Sequence, residues 1–386
     1  MKGDAMSNDT TNSQTVELIR DVDQQLKNVH TQSLDISFNE LADMVNTGEL
    51  DISPDYQRLF QWSEGARSRF IESLLLEMPV PPLYVVEIED NKKMLIDGLQ
   101  RLSSYLHFRG MLDAPHLKPS VHTGEKLVLK DCDIVESLNG KSFDELGTAL
   151  QIKLKRSFVR VEVIRKGSNP KFKYHMFKRL NTGGEALTNQ QLRNCTIRLL
   201  DPKFNDFIIE LADKNVDFKT CIATISEEQC YGAYDKELVL RFFALKNWIS
   251  NFEHGVSDFL TEYMEAVSDP DDAVAFDYAE EKAIFESTFR VLAQALEEKA
   301  FSRANKSKHD LVRAFGIYHF EAFCVGIQDF LARAELNDAQ RMGQILKSIK
   351  LDPVFIDLTT GGGKNSPGPL NQRINFVREK LKEAIG

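Results

Sequence analysis

Leu83-Tyr84-Val85-Val86-Glu87-Ile88 and Lys93-Met94-Leu95-Ile96 are short apolar runs separated by the polar stretch Glu89-Asp90-Asn91-Lys92. Runs this short, rich in β-branched residues and joined by a polar turn, predict an antiparallel hairpin. The second run passes straight into Asp97-Gly98 and then into a helix that Gly110 ends. A strand that feeds a helix through a glycine commits this part of the chain to a sheet covered by helices, and it leaves backbone N–H groups exposed at the junction.

The neighbouring signals set the element order. Residues 1–33 are polar and poor in apolar side chains, which predicts a flexible tail with some helix near Val16–Val29. Ser37-Phe38-Asn39-Glu40 reads as a capping box that opens a short helix. A second helix is expected over about Ser63–Glu77, stopped by Met78-Pro79-Val80-Pro81-Pro82. Strands are expected at Lys126–Leu129 and at Phe158–Ile164, where Val159, Val161 and Val163 alternate with Arg160 and Glu162. Past Asn194 the strand signals fade, and long helical patterns follow over Phe204–Ala212, Tyr234–Trp248, Tyr278–Ala300, Asp310–Leu336, Asp338–Ile349 and Leu370–Ile385. The expected fold class is α+β: a domain of mixed sheet and helices over residues 34–194, then an all-helical domain over residues 195–386.

Composition narrows the function classes. A chain of 386 residues exceeds the usual size of one core, so two domains are expected. No apolar run approaches the roughly 18 residues of a membrane span, and Met1–Thr15 is polar; a cytoplasmic protein without membrane contact is the expectation. Five cysteines without a C-x-x-C pair argue against a disulfide framework or a zinc knuckle. The net charge of -10 argues against a protein that coats nucleic acid by long-range attraction. Charge is unevenly spread: residues 151–200 hold twelve Lys or Arg against Glu162 and Glu185, whereas residues 251–298 hold thirteen Asp or Glu against Lys282 and Arg290.

Three stretches have residue types suited to anion chemistry. In Asp97-Gly98-Leu99-Gln100-Arg101 the glycine allows close approach of an anion to a helix start, Arg101 offers a planar donor fork, and Asp97 can hold a metal ion, orient water or bond a ribose. The plain alternative is a strand-to-helix turn in which Asp97 caps the helix and Arg101 pairs with it locally. Upstream, Pro54-Asp55-Tyr56-Gln57-Arg58 with Trp62 could bring a second arginine to the same ligand, or form a surface turn with Trp62 as core anchor. Downstream, Lys178, Arg179 and Arg193 flank the glycine turn Asn181-Thr182-Gly183-Gly184, whose backbone donors can face an anion. Thr188 with Gln191 is also a plain capping box.

Taken in order, Tyr-Gln-Arg with its downstream Trp, the Pro-rich step, strand-Asp-Gly-x-Gln-Arg and Arg-x-Asn-Thr-Gly-Gly-x-x-Leu resemble the DGQQR-motif family. This is the ParB and sulfiredoxin-like N-terminal domain of GmrSD-type modification-dependent restriction proteins, and the chain looks like a standalone GmrS-like subunit. The resemblance implies an NTP as cofactor, with Mg2+, and a nucleotide motif in which Asp97, Gln100 and Arg101 are catalytic. It places Gln57, Arg58, Gly98, Arg179, Asn181, Thr182, Gly183, Gly184 and Arg193 around the nucleotide. It further implies modified phage DNA and an HNH nuclease protein as partners, and is compatible with a homo-oligomer. This chain departs from the family pattern at Leu99, where the motif has Gln, and at Gln191, where it has Glu; the first removes a polar group and the second a carboxylate that hydrolysis would use.

The residues do not read as a nuclease. Eight histidines are scattered without a metal-ligating pair, and a Walker A loop is missing, since Gly363-Lys364 is followed by Asn365. His107, His175 and His319 are expected on helices as packing or surface residues. The function expected from sequence is therefore a nucleotide-binding sensor or regulatory subunit of an anti-phage restriction system, with NTPase activity left open. A non-hydrolysing ParB-like DNA-binding or clamp protein is the alternative.

Overall fold

The computed structural model describes residues 18–20, 22, 30–52, 62–89, 91–115, 117, 119–169, 172–173, 176, 179, 188–253, 255–271 and 274–386. The chain divides into two compact units, Met1–Glu185 and Ala186–Gly386.

The first unit contains β1 (Thr31–Ser37), α1 (Phe38–Asn46), β2 (Leu50–Asp51), α2 (Glu64–Leu75), β3 (Leu83–Glu89), β4 (Lys92–Asp97), α3 (Leu99–Arg109), α4 (Gly147–Arg156) and β5 (Phe158–Ile164). Its strands form one sheet in the order β1-β5-β3-β4-β2. The hairpin β3–β4 is antiparallel, as its short turn requires, while β3–β5 is parallel because α3 and α4 intervene. β1 closes the sheet antiparallel to β5, and β2 adds a short parallel pairing to β4. Along β5 the alternation holds: Val159, Val161 and Val163 are buried and Arg160 is exposed. Between the helices, Phe38 meets Tyr105 at a ring separation of 5.3 Å and Phe70 at 5.8 Å.

Two expectations for this unit are corrected. Thr31, Gln32 and Ser33, assigned to the tail, are strand residues paired with Ile164, Val163 and Glu162. Edge strands tolerate polar side chains on their open face, so the polar composition that suggested a tail is equally that of an edge. Lys126–Leu129 is not a strand. Leu127 and Leu129 are buried, but Leu127 N–H donates to the His107 carbonyl and Leu129 N–H to that of Lys141, a helix end and a turn instead of a neighbouring strand.

The second unit is built from helices α5 (Asn189–Thr196), α6 (Pro202–Lys214), α7 (Val216–Cys221), α8 (Glu227–Tyr231), α9 (Tyr234–Asn247), α10 (Val256–Val267) and α11 (Tyr278–Leu296). After the strands β6 (Ser302–Ala304) and β7 (Leu311–Phe315) come α12 (Ile317–Gly326), α13 (Leu331–Leu336), α14 (Ala339–Leu351), α15 (Pro353–Thr359) and α16 (Pro367–Ile385). Its core is aromatic: Phe242, Phe243, Phe285 and Phe289 are fully buried, with Phe285 and Phe289 at 4.4 Å. The helical expectation holds except over Asp310–Leu336, which is a strand followed by two helices. Asn305 decides this locally. Its side-chain oxygen accepts from Ser307 Oγ and from the N–H of His309 and Asp310, bending the chain so that β7 pairs back on β6.

Candidate functional site

β4 ends at Asp97, and Gly98 turns the chain into α3 with a left-handed φ of 103°. Glycine is required twice over. A Cβ here would lie 1.9 Å from Leu83 Cδ2, in a residue with no exposed surface, and positive φ strains any other residue. Gly98→Ala should therefore destabilise the protein by about 3 kcal/mol, the sum of αL strain and overpacking. Urea denaturation checks this, and a loss below about 1 kcal/mol would mean that the turn repacks freely.

Gly98 supplies no side-chain cap to α3, so the helix opens with its first-turn N–H groups served by no capping side chain. Arg101 folds back over the turn: one Nη donates to Asp97 Oδ2 at 2.7 Å, and its fork also reaches the carbonyls of Pro81 at 3.1 Å and Pro82 at 3.3 Å. The local Asp97–Arg101 pair is thus formed, although Asp97 makes no cap bond. The arginine also ties the Pro-rich step to the motif. Asp97 keeps a side-chain exposure of 37% against 12% for Arg101. Leu99 is buried, so the motif's departure from Gln contributes to the core.

Gln100 has a different setting. Its Oε1 accepts the Trp62 N–H at 3.1 Å, while Arg67 Nε donates to the Trp62 carbonyl at 2.7 Å. Arg67 also reaches His107 Nδ1 at 3.2 Å, which puts the His107 proton on Nε2. Burial, reinforced by the Arg67 charge, holds His107 down to about 4, so the ring is neutral near pH 7. Nothing in the sequence singles out Arg67: it sits among polar positions of α2 like a solvent-facing arginine, yet it is buried.

Gln57, Arg58, Asn181, Thr182, Gly183, Gly184 and His175 lie outside the described residues. Arg179 is helical and exposed. Arg193 is buried in the second unit, with Nη2 on Glu237 at 2.9 Å, Nε on Gln190 at 2.8 Å and Nη1 near Ser257 and Thr261. This guanidinium ties α5 to α9 and α10. Gln191 completes the capping box with Thr188 and reaches the Tyr231 carbonyl at 2.9 Å.

Several charges of the basic stretch 151–200 are paired. In the first unit Lys153 pairs with Glu77, Arg160 with Asp35 and Arg165 with Glu87; in the second Arg193 pairs with Glu237 and Arg198 with Asp206. Among the described residues no group of three or more His, Cys, Asp or Glu is placed to hold a metal ion. Nor is any of their helices long and apolar enough to cross a membrane.

Residues 38–198 match the family model of the GmrSD restriction endonuclease, N-terminal domain. This segment is a GmrSD-type N-terminal domain. It begins at α1, contains the Asp97–Arg101 turn and ends just beyond α5. A GmrSD domain implies a role in a DNA restriction system, and with it interaction with DNA. No curated protein and no solved structure matches the chain.

Proposed function

We propose that the chain is the nucleotide-binding sensor subunit of an anti-phage, modification-dependent restriction system, and that an HNH nuclease on a separate chain does the cutting. The Asp97–Arg101 turn carries the reading: a left-handed glycine at a strand end, an uncapped helix start, a guanidinium and one part-exposed carboxylate suit the phosphates of an NTP. The donor set fits a triphosphate arriving with Mg2+, because that ion takes one or two protein carboxylates and completes its shell with phosphate oxygens and water. Asp97 would be the carboxylate and Arg101 the phosphate partner; Gln100, held by Trp62, is not assigned to either. The bound nucleotide would supply a phosphate-dependent state to the domain, and DNA would be its second ligand.

A second reading, a non-hydrolysing ParB-like DNA clamp, is favoured by the apolar Leu99 and by an Arg101 already satisfied by Asp97, Pro81 and Pro82. Titration with ATP, GTP and CTP, with Mg2+ and with and without modified DNA, tests both. Binding is expected to weaken at least about tenfold in Arg101→Ala, the loss of one charge-assisted contact. Phosphate release stimulated by DNA supports the sensor with turnover; binding without release supports the clamp. Failure to bind any NTP under these conditions sinks the nucleotide reading in both forms.

A further inference from the structure

The starts of α2 and α3 meet at the backbone of a single residue, Trp62. Trp62 immediately precedes Ser63, the N-cap of α2, whose Oγ accepts from Ala66 N–H. Gln100 is the second residue of α3. The Trp62 N–H reaches Gln100 Oε1 at 3.1 Å and the Trp62 carbonyl receives Arg67 Nε at 2.7 Å, so both polar groups of one residue are held by side chains from the two helices. The indole itself stands edge-on to Phe70, with ring centroids 5.9 Å apart. Arg67 is 6% exposed and His107 5%, so this network is a built interior feature and not a surface contact. Neutral His107 accepts from Arg67 and fixes the direction of its fork.

We propose that Gln100 and Arg67 are positioning residues of the phosphate-binding turn, holding the N–H and the carbonyl of Trp62 and thereby locking the start of α2 against the start of α3. The consequence rests on the nucleotide reading of that turn. The partial positive charge of a helix start extends over only its first turn, so two starts held in register concentrate it where an anion would bind. Gln100 then contributes an acceptor to the protein and no donor to the nucleotide.

The two roles of Gln100 separate cleanly in the pair Gln100→Glu and Gln100→Leu. Glu keeps an acceptor oxygen for the Trp62 N–H but places negative charge where a phosphate ligand would need a donor; Leu removes the acceptor. Both are made in the full chain carrying Trp248→Phe, which leaves Trp62 as the only tryptophan. Acrylamide quenching of Trp62 emission reads the grip, and titration with ATP, GTP or CTP plus Mg2+ reads the turn.

Gln100→Leu is expected to raise both the quenching constant and the nucleotide Kd, the latter by about tenfold for one lost buried hydrogen bond. Gln100→Glu is expected to restore both to near the parent values. The proposal is overturned if Gln100→Glu weakens nucleotide binding as much as Gln100→Leu while quenching stays at the parent level, the signature of a direct ligand. If Gln100→Leu does not fold, Gln100→Glu decides by the same two readouts. If the parent binds no nucleotide, the nucleotide reading fails separately, and unchanged quenching in Gln100→Leu still overturns the grip.

Discussion

Glu321→Gln should cost the protein about 3–5 kcal/mol, the usual penalty for leaving buried cations without their carboxylate. Glu321 is 1% exposed on α12 and holds two arginines: Arg241 of α9, whose Nη1 donates to it at 2.6 Å, and Arg373 of α16. Arg241 also bonds Glu237 at 3.0 Å, and Glu237 bonds Arg193 at 2.9 Å, so a chain of ion pairs runs from α5 through α9 and α12 to α16. Arg373 extends it by donating to the Lys364 carbonyl at 2.8 Å and lying over the Tyr318 ring at 4.6 Å. Removing the central carboxylate leaves Arg373 without a carboxylate and Arg241 with Glu237 alone, whereas removing Glu321 together with Arg373 leaves no guanidinium of the set without one. Glu321→Leu combined with Arg373→Met is therefore expected to be more stable than Glu321→Gln, since Arg241 keeps Glu237. Urea denaturation midpoints and slopes of the two variants and the parent measure this; a Glu321→Gln loss under about 1 kcal/mol would show that water or repacking replaces the carboxylate.

Lys350→Met should have the opposite sign. Lys350 is wholly buried on α14, its amine 3.5 Å from His319 Nδ1 and 4.0 Å from the centre of the Phe323 ring. Burial pushes its pKa from 10.5 down to about 7 and holds His319 well below its ordinary value. The sign follows from proton counting. Between the unfolded value of 10.5 and the folded value of about 7, the unfolded chain binds a proton at this position that the folded chain does not. Stability therefore falls as pH falls through that window and becomes insensitive to this group below it. Met fills similar volume without the proton equilibrium, so the variant is expected to gain about 2–4 kcal/mol at pH 7. The gain should shrink towards pH 10 as the penalty on Lys350 disappears. Unfolding measured in urea at pH 7 and pH 9.5 tests it, and parallel pH dependences of parent and variant would contradict it.

The two charged features teach different lessons about reading the chain. The Asp97–Arg101 turn was visible in the sequence because everything that makes it is local: a β-branched run, a glycine and a helix ended by Gly110. Its third participant was not visible, because the Pro81 and Pro82 carbonyls that share Arg101 come from the entry to β3. The charge count of residues 151–200 was legible in the sequence, but the pairing of its basic residues was not. Its neutralising partners Asp35, Glu77 and Glu87 stand far away in the chain.

Arg193 and Arg67 mark where sequence reading ends. Both are arginines on helices beside polar neighbours, and an arginine's setting is decided by which helices close around it. Tertiary packing put Arg193 on Glu237 in the helical unit and Arg67 on the Trp62 carbonyl beside a neutral histidine. By itself the sequence determined the hairpin, the glycine turn into α3, most capping positions and the change from sheet to helices, since these follow from short-range periodicity and turn chemistry. Only the tertiary structure decided the edge role of Thr31–Ser33, the bridging of Arg241 and Arg373 by Glu321 and the Gln100 bond to Trp62, because each depends on groups that are distant in sequence and brought together by burial.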